Sequence, residues 1–193
     1  MSTFDPLGLV SAFVIHGKIL IQNVWRSKTE WDDTISHQLF QQWKRWVETL
    51  HQLHKIRIQR CYFPGYDPKS YDTLELHVFV DASEEAYAST AYFRIIDKGE
   101  IRCVLVSSKT KVAPLKPLSI PRLELQAAVL GKKLAQAVQK NHTLKIKRRT
   151  FWSDSSTVLA WLRSDQRKYR QFVAFRVAEI LESCSVDEWR WVP

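Results

Sequence analysis

Three acidic residues stand at places where predicted elements of secondary structure begin or end. Asp81 follows an alternating apolar run that starts at Leu74, and such alternation indicates a β-strand. Asp154 follows a second apolar run that starts at Thr150. Glu124 lies in the first turn of a predicted helix, beside its apolar stripe. If the two strands are adjacent and parallel, their carboxyl ends meet at one sheet edge, where open α/β sheets bind ligands.

A helix packed on that sheet can present Glu124 to the same pocket as Asp81 and Asp154. Three carboxylates a few ångströms apart repel one another, and a divalent cation removes that cost. Hard oxygen ligands favour Mg²⁺ or Mn²⁺, and such a centre suits phosphodiester hydrolysis. Each acid alone has an ordinary structural explanation, as a turn residue, a cap or a partner of the helix dipole. The combination of three favours the metal site.

The chain divides into a helical unit (1–57), a linker (58–73) and an α/β domain (74–193). Apolar residues at three- and four-residue steps predict amphipathic helices over residues 6–26 and 35–57. The linker contains the turn-forming pairs Pro64-Gly65 and Asp67-Pro68.

In the α/β domain the first three strands are predicted to form an antiparallel meander, with a hairpin turn at Lys98-Gly99. A basic loop over 109–118 follows the meander. The strands are predicted over residues 74–81, 86–97, 101–108, 150–154 and 188–193, and the helices over residues 119–139, 158–162 and 171–183.

The net charge of +9 is concentrated in one segment. Residues 102–149 carry twelve Lys and Arg and a single acid, Glu124, whereas residues 150–193 are neutral overall. A basic segment of this kind indicates a polyanionic partner such as nucleic acid, although a solvated basic face explains it equally well. No apolar run approaches the length of a membrane span, and the amino terminus lacks the pattern of a secretory signal. The three cysteines show no paired spacing, which argues against a disulfide framework or a cysteine-based zinc site.

Three segments carry a resemblance to a known family. They are Val78-Phe79-Val80-Asp81-Ala82-Ser83, Ile120-Pro121-Arg122-Leu123-Glu124-Leu125 and Phe151-Trp152-Ser153-Asp154-Ser155. Together they resemble the ribonuclease H domain of Bel/Pao-type LTR retrotransposon polyproteins, over residues 74–193. The first 60 or so residues, including Phe4-Asp5-Pro6-Leu7-Gly8, resemble the helical stretch that joins the reverse transcriptase to the ribonuclease H. This region is sometimes given a Pao retrotransposon "peptidase" label, but the chain contains no Asp-Thr-Gly or Asp-Ser-Gly motif of aspartic proteases.

The resemblance implies a ribonuclease H-like mixed sheet, with an antiparallel meander of three strands, two further parallel strands and crossover helices. It implies metal-dependent endonucleolytic hydrolysis of the RNA strand in RNA–DNA hybrids. Asp81, Glu124 and Asp154 are then both the catalytic residues and the ligands of Mg²⁺ or Mn²⁺. Discrimination of RNA from DNA would rest on the 2′-hydroxyl.

The other site predictions concern the substrate and the partners. Ser83 and Ser155 lie beside the acids and are expected either to hydrogen-bond the substrate or to act as caps. Contacts to the hybrid's backbone, which position a protein without reading sequence, are expected from Lys109, Lys111, Lys116 and Arg122. The expected partners are the RNA–DNA hybrid and the rest of a polyprotein, including reverse transcriptase and integrase, with no membrane. By analogy the location is intracellular, in the cytoplasm within virus-like particles.

Ribonuclease H uses a fourth acid on a helix after the last strand, and the sequence ends at Pro193, just past that strand. We therefore expect a domain truncated at its C-terminus, with one sheet face less covered and its activity in doubt. An alternative is a catalytically inactive or degenerate retroelement fragment that binds nucleic acid without cleaving it. A third possibility is an integrase or transposase core, but those proteins usually place the glutamate last, whereas Glu124 lies between the two aspartates.

Overall fold

A five-stranded mixed sheet forms the centre of the computed structural model, which describes residues 4–59, 61–63 and 71–193. The strands lie in the order β3-β2-β1-β4-β5. Strand β1 pairs antiparallel with β2 and β2 antiparallel with β3, whereas β1 pairs parallel with β4 and β4 parallel with β5. The strands are β1 (Thr73–Ala82), β2 (Ala86–Asp97), β3 (Glu100–Val112), β4 (Arg148–Ser153) and β5 (Trp189–Trp191). The predicted fold class, a ribonuclease H-like mixed α/β sheet, is confirmed.

Five α-helices accompany the sheet within the described residues: α1 (Ser11–Arg26), α2 (His37–Leu50), α3 (Ile120–Asn141), α4 (Ser156–Arg163) and α5 (Gln171–Leu181). Helix α3 is the crossover between β3 and β4 and packs on β1 and β2, while α4 packs on β4 and β5. Helix α5 packs on α3 and α4. Leu74, Leu76 and Val78 of β1 are fully buried in one apolar core that includes side chains of all three of these helices. None of the helices in the described part of the chain has the length and apolar character needed to cross a membrane.

Gly131 allows α3 to lie directly against β1. A Cβ atom added at this glycine would sit 2.4 Å from Cγ1 of Val80, far inside van der Waals contact. Since Val80 lies one residue before Asp81, this close approach fixes the helix next to the strand end that carries the acid.

The hairpin between β2 and β3 has the turn that its sequence predicts. Lys98 and Gly99 both adopt positive φ, at 49° and 83°. Two central residues with positive φ match the right-handed twist of the flanking strands.

The other face of the sheet is partly open. The odd-numbered residues of β1 point to it, and Phe79 is 40% exposed. Trp152 of β4 stacks on Phe79 and on His77, with ring centroids 6.1 and 6.0 Å apart. The Nε1–H of Trp152 donates to Nδ1 of His77 at 2.9 Å, which leaves Nε2–H of His77 to donate to Oε2 of Glu75 at 3.2 Å. An aromatic groove therefore lies above a buried carboxylate.

Glu75 is only 6% exposed and has two cationic partners. Arg94 and Arg148 each approach one of its oxygens at 2.8 Å. Burial alone would raise the pKa of Glu75, but the hydrogen bonds from His77 and Arg94 and the charges of Arg148 and Arg94 together hold that pKa below its ordinary value. A carboxyl whose pKa is lower in the folded state stabilises the fold above its unfolded pKa. That contribution is lost as the pH falls through the folded pKa.

We therefore predict that Glu75→Gln lowers the free energy of unfolding at pH 7. The difference from the wild type should shrink as the pH falls through the lowered pKa of Glu75, where the wild-type carboxyl is itself protonated. Urea unfolding at a series of pH values measures this. Glu84→Gln, at an exposed position in the β1–β2 turn, serves as the control and should show no such pH-dependent difference. A constant penalty for Glu75→Gln from pH 7 to pH 3 would contradict the assignment.

Strand β3 is longer than predicted, because residues 109–112 continue the strand instead of forming a loop. Strand β2 starts at Ala86, and Val112 pairs with it, so the full length of β2 has a partner. Lys109 and Lys111 are thus strand residues with exposed side chains. Lysine is common on edge strands, where it discourages pairing with another chain.

Helix α1 begins at Ser11, not at residue 6 as predicted. The carboxylate of Asp5 accepts hydrogen bonds from the backbone N–H groups of Leu9 and Val10, both at 2.9 Å. Gly8 has a φ of +74°, which is incompatible with a right-handed helix. The carbonyl of Leu7 accepts from the backbone N–H of Ser108 on β3 at 2.8 Å. Residues 5–10 therefore pack against the edge strand β3 instead of forming the first turns of a helix.

The predicted second helix ends at Leu50 and is followed by a short 3-10 turn over Leu53–Lys55. Its apolar stripe is not buried, and Trp43 is 47% exposed. Trp46 nevertheless joins α2 to α1, since its ring stacks on Phe13 at 5.0 Å between centroids.

Part of the predicted linker packs on the domain. Phe63 is 7% exposed, belongs to the apolar core and stacks on Tyr71. The predicted turns at Pro64-Gly65 and Asp67-Pro68 lie outside the described residues.

Gly131→Ala is predicted to destabilise the domain by about 1–3 kcal/mol, because the added methyl group overpacks the contact with Val80. Helix propensity alone would make alanine at this position stabilising, so a loss of stability can be attributed to the clash with Val80. Chemical denaturation measures it. The double variant Val80→Ala/Gly131→Ala should be more stable than the sum of the two single effects predicts. Additivity of the two changes would show that they do not meet.

Candidate active site

Asp81 and Asp154 lie side by side at the carboxyl ends of neighbouring strands. Val80 of β1 is in register with Ser153 of β4, so the residues that follow each of them are adjacent across the pair. Both aspartates are exposed. One carboxylate oxygen of Asp81 accepts from the backbone N–H of Ala82 at 2.6 Å, and the backbone carbonyl of Asp154 accepts from Nε1 of Trp191 at 3.1 Å.

Glu124 is the fifth residue of α3 and is half-buried. Its Oε2 accepts a hydrogen bond from the hydroxyl of Ser155 at 2.5 Å. Ser155 is buried and also caps α4, since its oxygen accepts from the backbone N–H of Val158 at 3.2 Å. The capping role considered for Ser155 is thus present, and the same hydroxyl holds Glu124 beside the junction that carries Asp154.

The three carboxylates share one end of the sheet but are not gathered around a common point. Among residues 4–59, 61–63 and 71–193, no group of three or more His, Cys, Asp and Glu side chains is placed to hold a metal ion. Strand alternation explains part of this, because Asp81 lies on the same face as Phe79, away from α3 and Glu124. The donor chemistry, three hard carboxylates, still suits Mg²⁺ or Mn²⁺.

Ser83 belongs to the turn between β1 and β2. Its oxygen accepts from the backbone N–H groups of Glu85 and Ala86 at 3.3 and 3.2 Å. The side chain is exposed close to Asp81, and its observed contacts are those of a turn residue.

The four basic residues predicted to contact the substrate lie on β3, in the loop that follows it and at the start of α3. Thr110 pairs with Ala88, which pairs with Asp81, so Lys109 and Lys111 flank the row that contains the acid. Lys109 donates from Nζ to the carbonyl of Pro6 at 3.0 Å. Lys116 is exposed in the loop after β3, and Arg122 is half-buried in the first turn of α3.

A second basic region was missed by the sequence analysis. Residues 163–176 hold five Lys and Arg against a single acid, Asp165. Arg167 pairs with that acid at 2.8 Å and lowers the pKa of its carboxyl to about 2, through their hydrogen bonds. The net charge summed over residues 150–193 is zero and conceals this local excess of basic residues. A sum over a shorter stretch of sequence would have revealed it.

Comparison with protein families identifies the domain. Residues 1–155 match the family model described as the Pao retrotransposon-like RNaseH-like domain. The chain belongs to this family. The match includes Asp81, Glu124 and Asp154, and it confirms the resemblance inferred from the three motifs. The molecule is therefore a ribonuclease H-like domain of a retrotransposon.

No curated protein matches the chain. Solved structures give remote matches. RNase H1 from the halophilic archaeon Halobacterium salinarum NRC-1 is 12% identical with a TM-score of 0.39, over 62% of this chain and 86% of that chain. A foamy viral protease-reverse transcriptase, solved in complex with an RNA/DNA hybrid, is 14% identical with a TM-score of 0.48, over 89% of this chain and 21% of the viral chain.

Ser155→Ala is predicted to destabilise the domain by about 1–2 kcal/mol, since it removes both the cap of α4 and the hydrogen bond to Glu124. Thermal unfolding measures the change. The exposed neighbour provides a matched control, and Ser156→Ala should alter stability by less than about 0.5 kcal/mol. Equal effects of the two substitutions would contradict the role of the Ser155 hydroxyl.

Proposed function

We propose that this domain hydrolyses the RNA strand of RNA–DNA hybrids in a metal-dependent reaction. The observation that carries the proposal is the register between Val80 and Ser153, which sets Asp81 and Asp154 next to each other at one sheet edge. Glu124 is held at the same edge by Ser155.

Asp81, Glu124 and Asp154 would hold Mg²⁺ or Mn²⁺, whose chemistry is to activate water and to neutralise charge at the scissile phosphate. The exposed aspartates are accessible to a nucleic-acid strand. The hydroxyl of Ser155 restrains the rotation of Glu124, so that this carboxylate loses less conformational freedom when a cation binds. Family membership and the donor chemistry support the metal; the spread of the three side chains requires that binding draw them together.

Lys109 and Lys111 flank the row of the sheet that contains Asp81, Lys116 lies in the loop after β3, and Arg122 lies two residues before Glu124. Cations near the acids suit a polyanion that passes over them, because phosphate contacts position the strand without reading its sequence. Affinity for the hybrid should therefore fall steeply with salt.

The test is cleavage of a labelled RNA–DNA hybrid with Mg²⁺. We predict that Asp81→Asn and Asp154→Asn each reduce the cleavage rate by about 100-fold or more, because a metal centre supplies several kcal/mol of charge stabilisation. Omission of the metal should abolish cleavage. Asp32→Asn, at an exposed position in the loop before α2, is the matched control and should cleave at the wild-type rate.

Duplex DNA of the same sequence is the substrate control, because it lacks the 2′-hydroxyl and should stay intact. The proposal is wrong if the wild-type protein binds the hybrid but leaves it uncut with Mg²⁺ and with Mn²⁺.

A second candidate function is nucleic-acid binding without cleavage. The observation that favours it is that the carboxylates of the described residues are not assembled into a metal-binding group. In that case the acid variants would bind the hybrid as well as, or more tightly than, the wild type, since they remove negative charge. Cleavage would be absent from all of them.

A further inference from the structure

Two arginines share one aromatic ring beside the candidate active site. The guanidinium carbon of Arg176 lies 3.5 Å from the ring centroid of Phe172, and that of Arg122 lies 5.2 Å from the same centroid. Arg122 comes from the first turn of α3 and Phe172 from the first turn of α5. The ring therefore brings together two positive charges that would otherwise repel each other.

Neither guanidinium has a carboxylate within ion-pair distance among the described residues, although Glu179 is close enough to act on the charge of Arg176. The ion pairs among the described residues include neither Arg122 nor Arg176. The nearby carboxylate of Glu179 pairs instead with Lys133 at 2.8 Å. A pair of half-buried cations without a carboxylate stabilises a bound anion.

The hydrogen bonds of Arg176 are all with neutral groups. Its NH1 donates to the backbone carbonyl of Phe172 at 3.0 Å. When the amide oxygen of Gln126 faces Arg176, it accepts from Nε and NH2, both at 2.9 Å. These bonds orient the guanidinium, while two of its five N–H donors remain for a ligand. Burial lowers the pKa of Arg176, and the charges of Glu179 and Tyr87 offset this effect only in part.

Arg122 has more donors to offer. Within the described residues its guanidinium makes no hydrogen bond, and its interaction is the one with the Phe172 ring. Since stacking on a ring uses the face of a guanidinium, the N–H groups at its edge stay available for a planar or tetrahedral oxyanion.

The location indicates which anion binds. Arg122 lies two residues before Glu124, at the end of α3 that adjoins the carboxyl end of β3. That end of β3 is level with Asp81 through the pairing with β2. A nucleic-acid strand that crosses the acids would therefore bring a backbone phosphate near the two arginines.

We propose that Arg122 and Arg176 together bind one backbone phosphate of the nucleic acid, with Phe172 and Gln126 as positioning residues. The ligand class rests on the proposed function, but binding at this clamp needs neither metal nor cleavage. A purely structural role for the same stack, in which it only joins α3 to α5, would change stability and leave nucleic-acid binding unaltered.

The test is binding of a fluorescent RNA–DNA hybrid in EDTA, measured by anisotropy between about 50 and 200 mM salt. Arg122→Gln and Arg176→Gln should each weaken binding and reduce the slope of log affinity against log salt by about 1. Because both arginines are assigned to one phosphate, the double variant should lose about 1 from the slope, not about 2. Lys140→Gln, with the same charge change at the far, exposed end of α3, is the control and should keep the wild-type slope.

Two more variants separate the positioning of the guanidinium groups by the ring from the effect of their charge. Phe172→Leu keeps both cations but removes the ring, so it should weaken binding several-fold. Arg122→Glu should bind more weakly than Arg122→Gln, because its carboxylate pairs with Arg176 and excludes the phosphate. Circular dichroism and thermal unfolding check that each variant is folded. Folded Arg122 variants that bind as the wild type does, or a loss of slope in Lys140→Gln equal to theirs, would overturn the clamp.

Free phosphate is the competing source of the same chemistry. At equal ionic strength, sodium phosphate should displace the hybrid from the wild type more than sodium chloride does, and this difference should vanish in the Arg122 variants, because the free ion competes for the clamp. If phosphate binds the wild type at the two arginines without displacing the hybrid, the site takes the free ion and the proposal is wrong. Failure of the clamp and failure of the nuclease remain distinct, since one concerns binding in EDTA and the other concerns cleavage with Mg²⁺.

Discussion

The parallel pairing of β1 with β4 is the constraint on which the rest of the molecule depends. Two parallel strands cannot be joined by a tight turn, so the chain needs a crossover, and α3 provides it. The pairing register places Asp81 beside Asp154, and a slip of one residue would send one of the two carboxylates to the opposite face. The absent side chain at Gly131 lets the crossover helix sit close enough to deliver Glu124 to the same end.

Charges are distributed unequally along β1. Near its start, the buried carboxylate of Glu75 forms ion pairs with Arg94 and Arg148. At its finish, Asp81 takes part in no ion pair of the described residues, and the surrounding lysines and arginines have few acidic partners. The paired charges at the start of β1 stabilise the fold, whereas the carboxylate of Asp81 at its finish is exposed to solvent.

Apolar periodicity and turn residues predicted the strand and helix bounds that depend on neighbouring residues alone. The bounds of β2 were predicted correctly, because strict alternation and the Lys98-Gly99 turn define both ends. The extension of β3 to Val112 was missed, since a lysine-rich edge strand resembles a loop until its partner strand is known. The late start of α1 was missed because it depends on Asp5 and on a distant contact with Ser108.

The site shows the same division. The positions of Asp81, Glu124 and Asp154 follow from strand ends and one helix start, which periodicity reveals. The hydrogen bond from Ser155 to Glu124 and the stacking of Arg176 on Phe172 join segments that are far apart in the chain, and no spacing rule predicts them. The direction of each of these side chains depends on packing between elements, which local sequence does not determine.

The contact between Leu7 and Ser108 has a consequence for the behaviour of the domain in isolation. Strand β3 is an edge of the sheet, and the amino-terminal segment supplies an acceptor to its outward N–H group and covers it with the turn at Gly8. A recombinant fragment that begins after the helices would bare this edge, and bare edges seed strand-to-strand aggregation. The segment before α1 thus shields this edge of the sheet, and expression boundaries should start at or before Asp5.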